Sequence, residues 1–120
     1  MVPGHQIAEM GLAKLYTVTG EKRYLDMAKF FLDKRGYTTI KTEYSQSHKP
    51  VLEQDEAVGH AVRAGYMYAG MADVAAMTGD STLKPALNAI WHDIVDKKMH
   101  ITGGLGAVPG IEGFGPDYEL

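Results

Sequence analysis

Ala13-Lys14-Leu15-Tyr16-Thr17-Val18-Thr19-Gly20-Glu21 returns 59 residues later as Ala72-Asp73-Val74-Ala75-Ala76-Met77-Thr78-Gly79-Asp80. In each copy an apolar helical pattern runs into Thr-Gly and restarts just beyond it. Glycine accepts the left-handed conformation that closes a helix, so each Thr-Gly reads as a stop followed by a return helix. The chain is therefore a helical hairpin made twice, the pattern of stacked helical repeats.

Working outward, the spacing predicts four helices. The first covers Gln6 to Val18, with Ile7, Met10, Leu12, Ala13, Leu15 and Tyr16 on a wide apolar face. The second covers Lys22 to Lys34, with a stripe of Tyr24, Leu25, Ala28, Phe31 and Leu32, and Arg35-Gly36 ends it. Tyr37 to Pro50 is polar and aperiodic and reads as a loop, and a connection of that length is more often functional than accidental. The third helix is expected to start between Val51 and Asp55 and to end at Thr78-Gly79. The fourth runs from Asp80 or Ser81 to about Lys98, with Leu83, Leu87, Ile90, Trp91 and Ile94 in a one-sided apolar stripe that leaves the other face solvated, and Lys97 and Lys98 suiting its negative terminus. No strand is expected. The first helix of each hairpin is more evenly apolar than the second, as an inner and an outer ring would require. Two hairpins cannot close a ring, so the fold class is all-α, an arc of something larger, with residues 1–120 as one partial domain.

The 120 residues carry a net charge of −3 and no cysteine. The charge gives no footprint for nucleic acid. The absent cysteines exclude a disulfide framework, a thiolate zinc site and a cysteine nucleophile within the chain. No run has the roughly 20 apolar residues of a membrane span. The N-terminus has neither the basic region nor the apolar core of a signal peptide, which favours a cytoplasmic location.

Between Ala57 and Met77 the only charged residues are Arg63 and Asp73, and His60 is the only histidine. A helix apolar on every side is expected to be buried on every side. Glu53, Glu56, His60, Arg63 and Met67 recur at helical spacing and predict a polar stripe on the wall of a cavity. His60 can be a structural residue paired with Glu56 one turn earlier, or a donor to a bound ligand. Glu112 lies in Gly103 to Pro116, where six glycines and two prolines in 14 residues specify a shaped loop. A carboxylate held there over a cavity can serve as general acid or base, and the bland alternative is a solvated loop glutamate. The glycines do not form a phosphate loop, because the required glycine spacing and the Lys-Ser or Lys-Thr are missing. His5, His48, His92 and His100 lack metal-ligand spacing, so no metal site is expected. Tyr66, Met67, Tyr68 and Met71 read as core.

Several blocks in order resemble the β-L-arabinofuranosidase family, glycoside hydrolase family 127. They are Thr19 to Gly36, Tyr44 to Pro50, Glu53 to Arg63, Met99 to Gly106 and Glu112 to Leu120. The resemblance implies an (α/α)6 barrel, of which two hairpins are one third, and a retaining exo-glycosidase that removes terminal β-L-arabinofuranose from plant-type glycans. It implies that Glu112 is the acid/base, and that His60, Glu56, Gly103 and Gly104 bind the sugar. Glu112 and His60 are then expected to face one another. The resemblance also implies a zinc-bound cysteine nucleophile whose ligands lie downstream of Asp117-Tyr118-Glu119-Leu120. The family commonly has Gly-Glu-Ala-Phe where this chain has Ile111-Glu112-Gly113-Phe114. The expectation is a fragment that carries a proton donor but no nucleophile or zinc site, inactive alone and prone to self-association through bare apolar helices. The alternatives are a non-catalytic helical-hairpin module that binds sugar or protein, and part of another (α/α)6 sugar-processing enzyme.

Overall fold

The computed structural model describes residues 1–120. Four α-helices carry the fold: α1 (Ile7–Thr19), α2 (Lys22–Lys34), α3 (Ala61–Thr78) and α4 (Lys84–Asp93). Short 3-10 turns cover Glu43–Ser45, Val51–Glu53 and Ser81–Leu83, and a π-helical turn, Ile94–Lys98, extends α4. There is no named strand, only three isolated antiparallel bridges. No helix is long and apolar enough to cross a membrane.

The repeat is reproduced atom for atom at both helix ends. Gly20 and Gly79 are left-handed, with φ of 71° and 73°. Their amides donate to Tyr16 and Ala75 carbonyls. Thr19 and Thr78 hydroxyls donate back to Leu15 and Val74 at 2.7 and 2.6 Å, and each accepts from the amide two residues on. The hairpins diverge after that point, because Asp80 caps Thr82 and inserts a 3-10 turn before α4.

The core joins Leu25, Ala28 and Leu32 of α2 to Ala64, Met67, Met71 and Val74 of α3 and to Ala86 and Ile90 of α4. α1 packs on both α2 and α3. Gly70 permits the α1–α3 approach, since a Cβ there would lie 3.0 Å from the Met10 amide nitrogen. Removing this apolar surface from water is the main stabilising term.

Three expectations are corrected. First, α3 begins at Ala61, not between Val51 and Asp55. Gly59 is left-handed at φ 71° and His60 is extended, so a continuous helix through them is impossible. Glu53 and Glu56 therefore share no helix face with Arg63 and Met67, and Met67 is fully buried. Second, α3 is not enclosed on all sides. Val62, Ala69, Ala72 and Ala76 are exposed because its neighbours in this chain lie on the opposite face. Third, Trp91 is 64% exposed rather than part of the buried stripe of α4.

Candidate active site

The site is assembled by backbone bonds between three loops. Left-handed Gly59 turns the chain into His60. A side chain there would collide with the Glu43 carbonyl, which lies 1.9 Å from the position of a Cβ. The His60 amide donates to the Tyr44 carbonyl at 3.2 Å. Phe114 donates to the Gly59 carbonyl and Ala61 to the Glu112 carbonyl, both at 2.9 Å. Gly113 pairs with Val108 on one edge and with His60 on the other. Phe114 is buried and joins the core, which pins the loop to α3.

This frame brings His60 and Glu112, 52 positions apart, to 3.1 Å between Nε2 and Oε2. His60 also caps α3: its Nδ1 accepts from the Arg63 amide at 3.4 Å. Accepting at Nδ1 places the ring proton of the neutral imidazole on Nε2, which donates to the Glu112 carboxylate. His60 is 13% exposed and Glu112 is 77% exposed, so a fixed ring holds a carboxylate that projects outward. Glu112 is left-handed, with φ 50°. A non-glycine residue held there costs about 1–3 kcal/mol and is found where the surroundings over-determine it, often at functional sites. The Tyr44 and His60 rings are perpendicular with centroids 5.4 Å apart, and the Arg63 guanidinium lies over the Tyr44 ring, 5.0 Å from its centroid.

Glu56 does not join this pair, nor does it bond His60. It accepts from Lys98 Nζ at 2.7 Å. Lys98 also donates to the Ala57 carbonyl at 3.0 Å and sits 3.1 Å from Asp93 and 3.6 Å from Asp117. Burial pulls the Lys98 ammonium down, but the bonds to Glu56 and Asp93 outweigh it and raise its pKa above the ordinary value. The bond to Lys97 holds Asp117 below the usual carboxylate range. Gly103 and Gly104 form a tight turn closed by bonds to His100 at 2.8 and 2.9 Å. Gly106 does pack against the pair's frame, alongside Gly59 and Gly113: a Cβ there would lie 3.1 Å from the Ala61 Cβ and 3.6 Å from the Glu112 carbonyl.

A cleft of about 720 Å³ opens beside this frame, bordered by Tyr44, Glu56, Gly59, Lys98, Ile111 and Phe114. That is within the size range of small-molecule sites. Glu112 stands outside its lining, so in this chain the pair is presented on an open surface beside the cleft. A larger cleft of about 820 Å³ lies between residues 1–4 and 37–40. It contains no carboxylate or histidine.

Glu56, Asp93 and Asp117 bring one oxygen each within 4.8 Å of one another. The Lys98 ammonium already bonds or neighbours all three. The chain has no cysteine. Hard carboxylates satisfied by a buried lysine do not fit the sulfur-rich zinc site that the resemblance implies.

Sequence reasoning missed Tyr44, Gln46, Lys98, Asp93 and Asp117. Tyr44 and Gln46 carry no periodic signal, and their block was informative only as part of the resemblance. Asp117, three residues from the last position, carries no periodic signal either, yet it bonds Lys97 at 2.8 Å.

The family model for the GH127 β-L-arabinofuranosidase catalytic domain matches residues 1–120. The chain is 36% identical over 98% of its length to a non-reducing end β-L-arabinofuranosidase of Bifidobacterium longum subsp. longum, and spans 21% of that protein. It superposes over its full length on a solved GH127 β-arabinofuranosidase, with 68% identity and a TM-score of 0.96, covering 19% of that structure. A GH127 β-L-arabinofuranosidase from Geobacillus stearothermophilus T6 gives 40% identity, a TM-score of 0.93, full coverage of this chain and 22% of the solved chain. The chain thus spans about a fifth of the length of these relatives.

Proposed function

This chain belongs to the GH127 β-L-arabinofuranosidase catalytic-domain family, its four helices forming an arc of an (α/α)6 barrel, and on that premise we propose that it supplies the proton donor and part of the sugar pocket of a retaining exo-glycosidase acting on terminal β-L-arabinofuranosides. The observation that carries the reading is the bond between His60 Nε2 and Glu112 Oε2 at 3.1 Å.

In a retaining reaction one carboxyl group protonates the departing glycosidic oxygen while a nucleophile bonds the anomeric carbon from the other face. In the second step the same carboxylate takes a proton from water as the water displaces the nucleophile. Glu112 is accessible enough to reach a glycosidic oxygen, and His60 fixes one of its two oxygens and leaves the other free. His60 and Tyr44 then border the sugar. The second partner of the reaction is not among these residues: the chain has no cysteine, and its buried carboxylates are committed to lysine or arginine. The nucleophile and the zinc implied by the resemblance are contributed outside these 120 residues, and the chain by itself is expected to give no turnover.

The test is a chimera in which these residues replace the matched segment of the 68% identical relative. The chimera should hydrolyse an aryl β-L-arabinofuranoside, and Glu112→Gln should lower kcat by about 10²–10⁴-fold. An effect confined to KM would instead support a non-catalytic sugar-binding module.

A further inference from the structure

Gln46 is fully buried and, like Glu112, is a non-glycine residue with positive φ, at 52°. Its side chain is the point where the polar loops are tied together. Nε2 lies 2.9 Å from the Val58 carbonyl and 3.4 Å from that of His60, the two residues that bracket Gly59. The same nitrogen lies 3.3 Å from the Glu43 carbonyl and 3.4 Å from that of Tyr44. Tyr44 is in turn the residue whose carbonyl holds the His60 amide and whose ring abuts the His60 ring.

The orientation of this amide is set from behind. Gln6 Nε2 donates to Gln46 Oε1 at 2.5 Å and to the Ser45 carbonyl at 2.6 Å. Arg35, itself paired with Glu9, donates to the same Ser45 carbonyl at 3.1 Å. Gln54 Nε2 donates to the Gln46 carbonyl at 2.8 Å. With its oxygen claimed by Gln6, the amide must point its two hydrogens at the carbonyls around His60. A carboxylate at this position has no hydrogen to offer them, and an apolar side chain would leave them unpaired.

We propose that Gln46 is a positioning residue for the His60–Glu112 pair: it fixes the backbone on both sides of Gly59, and so the place from which the His60 ring donates to Glu112. The inference rests on the reading of Glu112 as proton donor. Gln46 touches neither Glu112 nor the cleft and acts only through His60.

The experiment is read at the His60 ring nitrogens by NMR in the 120-residue chain. Glu112→Gln should move the His60 Nε2 resonance in the parent chain. In Gln46→Met that response should be lost, while the resonances of α1 to α3 remain those of a folded protein. A residue that only stabilised the fold would lower the melting temperature and leave the response intact, and that result overturns the proposal. Should Gln46→Met not fold, Gln6→Met decides. Gln6 precedes α1 and belongs to no core helix, so its loss frees the Gln46 amide with the core in place. A weakened His60 response then supports the proposal and an unchanged one overturns it. The functional reading fails separately: a chimera with Glu112→Gln that keeps its turnover defeats it, whatever the His60 resonance does.

Discussion

The helical slab and the loop web that carries His60 and Glu112 are held together by different physics. In the slab, Leu32, Met67, Met71 and Ile90 are almost wholly buried and interchange apolar contacts among three helices. In the web, Gln6, Gln46, Gln54, Arg35, Glu9 and Lys98 are equally buried, and each depends on named polar partners. Apolar burial is non-directional and forgiving of modest shape changes. Polar burial is directional, and a lost partner leaves a desolvated group behind. The slab therefore sets stability and the web sets geometry. The pair sits where the web is fastened to the first turn of α3.

Arg35→Met is the most severe way to break that division. The Arg35–Glu9 pair is sealed, with side chains 1% and 0% exposed and 2.8 Å between them. Removing the arginine strands a buried carboxylate, and denaturant unfolding at neutral pH should show a loss of about 3–5 kcal/mol. The deficit should depend on pH. Burial already raises the Glu9 pKa above its ordinary 4.5, with the Arg35 bond and charge offsetting part of that rise. A raised folded pKa means that the folded state binds the proton more tightly than the unfolded chain does. Its contribution is favourable below 4.5 and is lost as pH rises through the folded value. Without Arg35 the rise is larger, so lowering the pH toward 4.5 should recover part of the lost stability. A pH-independent deficit would mean that Glu9 is not the stranded group.

Leu32→Ala probes the slab alone. It should cost about 2–5 kcal/mol and leave the Glu112-dependent position of the His60 resonance unchanged. A shift of that resonance would show that slab and web are not separable.

Gly59→Ala and Gly65→Ala sharpen the contrast with one chemical change. At Gly59 the added methyl meets the Glu43 carbonyl in a left-handed backbone. The strain is about 1–3 kcal/mol before the collision is counted, and the chimera should lose activity with it. At Gly65, inside α3, the methyl meets nothing within 4 Å. That substitution should stabilise by about 0.5–1 kcal/mol in a melting experiment and leave activity alone.

The slab was legible in the sequence and the web was not. α1 and α2 were readable to within a residue because their apolar period ends at Thr19-Gly20 and Arg35-Gly36. The start of α3 was misread. Glu53, Glu56 and His60 fall at helical intervals, yet Gln54 donates to the Gln46 and Lys49 carbonyls and Ala57 donates to Asp93, which hold the segment in an irregular path. Glu112 and His60 stood out by type and by setting. Their supports did not, because the bonds of Gln46 and Lys98 reach mostly to carbonyls and carboxylates 12 to 42 positions away. Such pairings leave no periodic trace.

The central claim is that Glu112 gives a proton to the departing oxygen. In the chimera, the Glu112→Ala penalty on kcat/KM should depend on the leaving group. It should be at least about tenfold larger for a disaccharide, whose alkoxide needs the proton, than for a nitrophenyl glycoside, whose phenolate does not. Equal penalties on the two substrates would contradict it.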